Sequence, residues 1–154
     1  MFTQRTEFSK NFPDLRRVMN DGVRFYVEEG MEVAYPSITS VLSFINKDKF
    51  TAWRKKVGEE EAERVKRHST TRGTDLHTLL EHYLQNDDVT KLEEYKIPLV
   101  NLMFHYVKSH LDKRLDNVYN QETQMLSHKL GLAGTVDLIC EVDGELSIVD
   151  FKTS

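Results

Sequence analysis

Cysteine is almost absent from this chain, since Cys140 is the single cysteine in 154 residues. A lone thiol excludes a disulfide framework within the chain and a metal cluster held by several cysteines. Long apolar runs are missing as well. None approaches the ~20 residues that cross a bilayer, and the first residues lack the apolar segment of a signal peptide. We therefore expect no membrane partner.

The composition is typical of one compact domain. Hydrophobic residues make up 39% of the chain and aromatic residues 10%, which is enough to form a core. Four basic residues in the first 17 positions are interrupted by Glu7 and Asp14, which is not the pattern of a mitochondrial presequence. We expect a cytoplasmic protein.

The most informative motif is the pair Asp143-Gly144, which separates two apolar segments near the end of the chain. Asp-Gly favours a two-residue hairpin loop, and that register places Asp137 opposite Asp150. Because side chains alternate along a strand, Asp137, Asp150 and Lys152 face the same side of the sheet. Opposed carboxylates repel each other unless a cation lies between them, so the motif predicts a divalent metal site.

The alternative for this motif is a set of solvated charges at the open end of a hairpin. Apolar residues occupy both faces of the flanking strands, which is typical of strands that are covered on two sides. Charges in such strands need partners or a metal, which favours the metal site.

The predicted fold is α/β, with the strands and helices in α+β order. Residues 1–35 are predicted to form an accessory β-ribbon that turns at Asp21-Gly22, and residues 36–154 form the main unit. In that unit Ser37 and Asp48 are expected to cap two short helices. Long helices follow over 59–84, with a break near 69–71, and over 97–115. A three-stranded antiparallel sheet closes the chain, and the stripe Leu99, Leu102, Met103, Tyr106, Val107 and Leu111 is expected to pack in the core.

A basic segment precedes the predicted sheet. Residues 51–72 carry seven basic and four acidic side chains, a net charge of +3 in a chain whose net charge is -4. Such a segment can hold a phosphate backbone beside a carboxylate site, and the candidate substrate-binding residues are Arg54, Lys55, Arg67 and Arg72. The alternative is a solvated helix whose charges pair with each other, such as Glu60 with Arg64 or Glu63 with Arg67.

Three motifs together carry a family resemblance: residues 35–42 (Tyr-Pro-Ser-Ile-Thr-Ser-Val-Leu), Arg72-Gly73-Thr-Asp-Leu-His77, and Gly-x-x-Asp137 followed by Asp150-x-Lys152-Thr. In this order they resemble the PD-(D/E)xK nuclease superfamily, in its RecB-like exonuclease branch. The mitochondrial genome maintenance exonucleases and their phage relatives are the most similar members. The single cysteine separates the chain from the CRISPR-adaptation nucleases of that superfamily, which hold an iron–sulfur cluster with four cysteines.

The resemblance implies a restriction-endonuclease-like core and a metal-dependent DNA exonuclease, a hydrolase acting on single-stranded DNA ends in replication, recombination or repair. A phage-infected bacterial cell is one setting it implies. Asp137 and Asp150 would hold Mg²⁺ or Mn²⁺, and His77 would lie at the metal and the scissile phosphate. Lys152 would position the nucleophile or stabilise negative charge. Glu122 resembles a further acidic position, and its side of the sheet depends on strand register.

Helix spacing gives His77 two expected neighbours. Gly73, His77 and Glu81 recur every four residues and share one helix face. Gly73 is expected to allow the close approach of another backbone, and Glu81 to orient the imidazole.

Relatives in that family continue past the lysine motif with a helix carrying Gln-x-x-x-Tyr and a further strand. We therefore expect this chain to lack those elements and to leave the last strand with an unpaired edge. Three explanations stay open: a split or truncated enzyme completed by a second polypeptide, an oligomer that covers the edge, or an inactive remnant. Such a remnant would serve as a DNA- or protein-binding module.

Overall fold

The computed structural model describes residues 1–5 and 12–153, which form a mixed α/β structure of four α-helices and two sheets. The strands are β1 (Thr3–Gln4), β2 (Leu15–Asn20), β3 (Val23–Glu28), β4 (Ala34–Pro36), β5 (Leu115–Ser127), β6 (Leu132–Val142) and β7 (Glu145–Val149). The helices are α1 (Ile38–Ile45), α2 (Lys47–Val57), α3 (Glu59–Leu84) and α4 (Pro98–Arg114). Two short 3-10 turns, Val89–Lys91 and Glu94–Lys96, connect α3 to α4.

Both Asp-Gly pairs form the predicted two-residue hairpin loops. Asn20 pairs with Val23 around the first loop, and Val142 pairs with Glu145 around the second. All four loop residues have positive φ, 49° and 77° at Asp21-Gly22 and 53° and 82° at Asp143-Gly144. Asp and Gly tolerate this conformation, which matches the twist of the flanking strands.

The larger sheet has the strand order β1-β5-β6-β7. Strands β5, β6 and β7 form the predicted three-stranded antiparallel arrangement, and β1 adds a short parallel strand to β5. The first residues therefore lie in the larger sheet and not in the ribbon. Asn86 fixes them there, because its Oδ1 accepts a hydrogen bond of 2.7 Å from the Phe2 amide. Among the described residues β7 pairs only with β6, so its outer edge is open, as expected.

The smaller sheet, β2-β3-β4, corresponds to the predicted ribbon and packs against β6. Tyr26 is fully buried at this junction, and its hydroxyl lies 3.1 Å from that of Thr135. Gly134 lies close to the start of α1, because a Cβ built there would be 3.0 Å from Ile38 Cγ2. The glycine before Asp137 thus makes room for the start of α1.

The helix boundaries agree with the predictions at most positions. α1 begins after Ser37, although the Ser37 hydroxyl contacts Thr39 and not the helix amides. α2 begins at Lys47, so Asp48 lies in its first turn and is not the cap. The predicted break near 69–71 is absent, because α3 is continuous over 26 residues. Pro98 occupies the first turn of α4, where its missing amide costs nothing.

The main core lies between the larger sheet and helices α3 and α4. The stripe predicted on α4 is only partly buried, which corrects that expectation. Leu111 is in the core, but Leu99, Leu102 and Tyr106 are exposed, while Val100 and Phe104 are buried in their place. No helix in the described parts of the chain is both long enough and apolar enough to span a bilayer.

Candidate functional site

Three side chains that can bind a metal converge where α3 crosses the larger sheet. His77 of α3, Glu122 of β5 and Asp137 of β6 each offer a ligand atom, and these atoms all lie within 4.8 Å of one another. The motifs predict His77 and Asp137 as ligands, and the side of the sheet on which Glu122 lies depends on the strand register. The sheet and the helix therefore assemble a cluster of one imidazole and two carboxylates.

Strand register brings Glu122 to this cluster. Gln121 pairs with Leu138 and Thr123 with Val136, which places Glu122 directly across from Asp137. Glu122 has a φ of 46°, a left-handed conformation that a glutamate rarely adopts. Such strain costs about 1–3 kcal/mol and is concentrated at functional sites. The unusual backbone at Glu122 is a reason to treat this residue as functional.

The electrostatics of Glu122 follow from its position. Although the residue is largely exposed, partial burial of its carboxyl group raises the pKa of Glu122, and the negative charge of Asp137 raises it further. His77 has the opposite, smaller effect. Two carboxylates on neighbouring strands thus repel each other, which is the condition that a bound cation relieves.

The backbone of Phe151 connects Asp137 to His77. Its amide donates a hydrogen bond of 2.6 Å to Asp137 Oδ2, and its carbonyl oxygen lies 2.9 Å from His77 Nε2. Because a carbonyl only accepts, Nε2 carries the proton in this contact, so a cation would bind the other ring nitrogen, Nδ1. Glu81, expected to orient the imidazole, is instead within 3.5 Å of Gln85 Nε2. The residue that orients His77 is therefore Phe151.

The predicted pairing of Asp137 with Asp150 does not form. The ladder between β6 and β7 ends at Leu138 and Val149, one residue short of the two aspartates. Beyond the end of the ladder, the Asp137 side chain accepts a hydrogen bond from the Phe151 amide. Asp150 is consequently outside the cluster.

Asp150 and Lys152 form an ion pair with each other, with 2.8 Å between Lys152 Nζ and Asp150 Oδ1. Their side chains are 52% and 70% exposed. The prediction that both face one side of the strand agrees with this contact. Both residues flank Phe151, whose backbone is bound to Asp137 and His77, so they lie next to the cluster without belonging to it.

A recess at the cluster opens onto the surface of α3. The recess is lined by His77, Glu81, Gln121, Glu122, Asp137 and Phe151. An adjoining open groove is lined by Gly73, Thr74, His77, Thr78 and Glu81. His77 belongs to both, so a ligand lying in the groove would contact one of the three candidate metal ligands. Among the described residues a Cβ at Gly73 would meet only the Thr153 hydroxyl, at 3.7 Å, so the expected close approach of another backbone is not seen there.

The four predicted substrate-binding residues differ in their surroundings. Arg54 pairs with Glu59 and Glu63, so one part of the basic segment follows the ion-pair alternative. Arg64 pairs with Glu61, at 2.7 Å, and not with Glu60. Lys55 and Arg67 are exposed.

Arg72 is half-buried beside the end of the described chain. Its Nη2 donates a hydrogen bond of 3.3 Å to the Thr153 carbonyl, and its buried Nε has no partner among the described residues. Of the four basic candidates, Arg72 is therefore the one next to the groove at Gly73.

Comparisons of this chain with protein-family models and with curated proteins find no match. The geometry of the cluster therefore provides the evidence for function. Sequence reasoning missed the part played by the Phe151 backbone, which no residue type signals.

Proposed function

We propose that this chain is a metal-dependent nuclease that hydrolyses phosphodiester bonds, acting as an exonuclease on single-stranded DNA ends. The convergence of His77, Glu122 and Asp137 within 4.8 Å carries this proposal. The motifs that resemble the PD-(D/E)xK superfamily support it, because they contain two of these three residues. The same resemblance supports a restriction-endonuclease-like core and a role in DNA replication or repair, while the cytoplasmic location is proposed from the pattern of the first residues.

The donor set fits a divalent cation that prefers oxygen ligands. Two carboxylates suit Mg²⁺ and Mn²⁺, and the imidazole favours Mn²⁺ over Mg²⁺ because Mn²⁺ accepts nitrogen more readily. The repulsion between Glu122 and Asp137 also favours binding of a cation, because its positive charge offsets the two negative charges. We therefore assign His77, Glu122 and Asp137 as the ligands and expect the stronger response with Mn²⁺.

When bound, such an ion polarises the phosphate and makes a nearby water more acidic. The remaining chemistry falls to side chains of this chain. The Lys152 ammonium would stabilise negative charge on the phosphate oxygens, and Asp150 holds that ammonium in place before substrate arrives. Phe151 keeps the imidazole of His77 and the carboxylate of Asp137 in a fixed relation. Arg72 would contact the phosphate backbone from the adjoining groove.

The test is cleavage of end-labelled single-stranded DNA in Mg²⁺ or Mn²⁺. We expect shortening from the ends with the wild-type chain, and none with His77→Ala or Asp137→Asn. Lys152→Ala should abolish cleavage while Mn²⁺ binding, measured by titration calorimetry, stays unchanged. Glu145→Gln, which alters an exposed carboxylate on the same hairpin, is the matched control and should cleave normally. Retained cleavage in Asp137→Asn would refute the assignment.

A second candidate, a binding module without catalysis, is favoured by the ion pair between Asp150 and Lys152. This pair leaves both predicted catalytic groups engaged with each other at the surface. The assay separates the two candidates, because a module binds the DNA and leaves it intact with either metal. The proposed second polypeptide belongs in the same assay, as cleavage only after its addition would identify a split enzyme.

A further inference from the structure

Helices α1 and α2 form an arm, residues 38–57, that carries apolar side chains into solvent. The structure describes every residue of the arm, and none of them is buried. Two aromatic rings are the most notable, since Phe44 is 78% exposed and Phe50 is 60% exposed. Ile38, Leu42, Ile45 and Val57 are exposed as well. A group of large apolar side chains exposed to solvent is typical of a surface that binds a partner or a ligand.

The arm is also the most positively charged part of the chain. It contains five basic residues and one acidic residue, a net charge of +4, whereas the chain as a whole has a net charge of -4. Arg54 is neutralised by Glu59 and Glu63 of α3. The other four are lysines, and the structure records no ion pair for them with any residue it describes: Lys47, Lys49, Lys55 and Lys56. Their charge is therefore directed at solvent.

Helical spacing places lysines on both sides of Phe50. Phe50 and Val57 are seven residues apart and share one face of α2. Lys47 is three residues from Phe50, on one side of that face. Lys49 and Lys56 are also seven residues apart and lie on the other side, next to Trp53. The apolar strip of Phe50 and Val57 thus has Lys47 on one side and Lys49 and Lys56 on the other.

From this arrangement we infer that the arm binds single-stranded nucleic acid. Unpaired bases stack on Phe44 and Phe50, while the lysines contact the phosphates on either side. Stacking on exposed aromatic rings together with contacts to a charged backbone is how proteins hold single strands without sequence preference. Duplex DNA keeps its bases stacked on each other and cannot use the rings, so the arm selects single strands.

Helix α3 connects the arm to the metal-binding cluster. It begins at Glu59, two residues after the arm, and reaches His77 after 18 residues, or ~27 Å along the helix axis. A strand held on the arm would follow α3 to the groove at Gly73 and His77. The delivery of the strand to the cluster for cleavage rests on the proposed function. Binding of the strand to the arm does not, and it can be measured without cleavage.

The test measures binding in EDTA, so that no metal-dependent cleavage occurs. Fluorescence anisotropy would follow a labelled oligothymidylate of about 20 nucleotides, a length that exceeds the usual site of one small domain. Phe44→Ala and Phe50→Ala should each weaken binding roughly 5- to 100-fold, as loss of one base stack does. Phe44→Tyr and Phe50→Tyr should bind as the wild type does. Tyr106→Ala, which removes an exposed ring on α4, is the matched control and should leave binding unchanged.

The lysines are tested through salt dependence. Replacing Lys49 and Lys56 by Gln should reduce the slope of log affinity against log salt by about 1.4, since each phosphate contact on a single strand contributes about 0.7. Circular dichroism of each variant checks that α1 and α2 still form.

Other occupants of the arm give different results. Sedimentation with vesicles of anionic phospholipid that depends on Phe44 and Phe50 would overturn the inference in favour of a membrane surface. Dimerisation that is lost in the same variants would overturn it in favour of a second copy. Unchanged oligonucleotide binding in both alanine variants would overturn it directly. Binding that follows the expected pattern, without cleavage in Mn²⁺, would uphold the arm and refute the nuclease.

Discussion

Asp137 Oδ2 accepts a hydrogen bond of 2.6 Å from the backbone amide of Phe151, just beyond the last residue pair of the β6–β7 ladder. The same carboxylate also belongs to the cluster with His77 and Glu122, whose ligand atoms lie within 4.8 Å of one another. Asp137 therefore has a structural role and a proposed metal-binding role in one carboxylate. Substitutions that preserve one role and remove the other can separate them.

Asp137→Asn and Asp137→Ala should differ in stability, but both should lose metal binding. The asparagine keeps an oxygen that can accept the Phe151 amide, so the melting temperature should stay close to that of the wild type. The alanine leaves this amide without its acceptor, which costs about 1–3 kcal/mol. Both should lose Mn²⁺ binding in calorimetric titration. Equal stability of the two variants would show that the hydrogen bond contributes little.

Glu122→Gln should increase stability in EDTA while abolishing the response to metal. The substitution removes the repulsion between like charges on facing strand positions, a gain of about 0.5 kcal/mol. Thermal denaturation with and without Mn²⁺ measures both effects. The wild type should be stabilised by the ion because a ligand of the native state raises stability. If Mn²⁺ stabilises Glu122→Gln as much as the wild type, Glu122 is not a ligand.

Two glycine substitutions should have opposite effects. At Gly134 an alanine methyl would lie 3.0 Å from Ile38 Cγ2, so Gly134→Ala should destabilise the fold by about 1 kcal/mol or more. At Gly73, inside α3, the nearest atom is 3.7 Å away, so Gly73→Ala should stabilise the fold by up to about 1 kcal/mol through helix propensity. Urea denaturation gives both values. Loss of cleavage in a stabilised Gly73→Ala would indicate that substrate, and not packing, requires the glycine.

Cys140 should react with alkylating reagents only after unfolding. Burial raises the pKa of the Cys140 thiol to about 11, with a smaller contribution from the charge of Glu141. The thiolate is the reactive form, so little of it exists at pH 8 in the native protein. Mass spectrometry after treatment with iodoacetamide should find Cys140 unmodified in buffer and fully modified in urea. Rapid modification of the native protein would contradict the burial of this strand.

Local patterns in the sequence determine the hairpins, most helix boundaries and two of the three cluster residues. An Asp-Gly turn fixes register over the nearest pairs, because loop geometry and side-chain alternation act over a few residues. That reasoning places Ile139 opposite Ile148, as the structure does. The same reasoning is wrong for the next pair, Asp137 and Asp150, because the Asp137 side chain bonds the Phe151 amide and the strand pairing stops at Leu138 and Val149.

Contacts between distant segments decided the rest. Glu122 reaches Asp137 only through the register of a long strand pair, and β1 joins the sheet through pairing with residues more than 100 positions away. The apolar residues of α4 repeat with the period of a helix, but packing against the neighbouring elements determines which face of α4 is buried. The sequence by itself therefore determines the local elements and the chemical types available for a site. Tertiary structure selects the acidic residues that meet His77, because their distances depend on pairing and packing that no local pattern encodes.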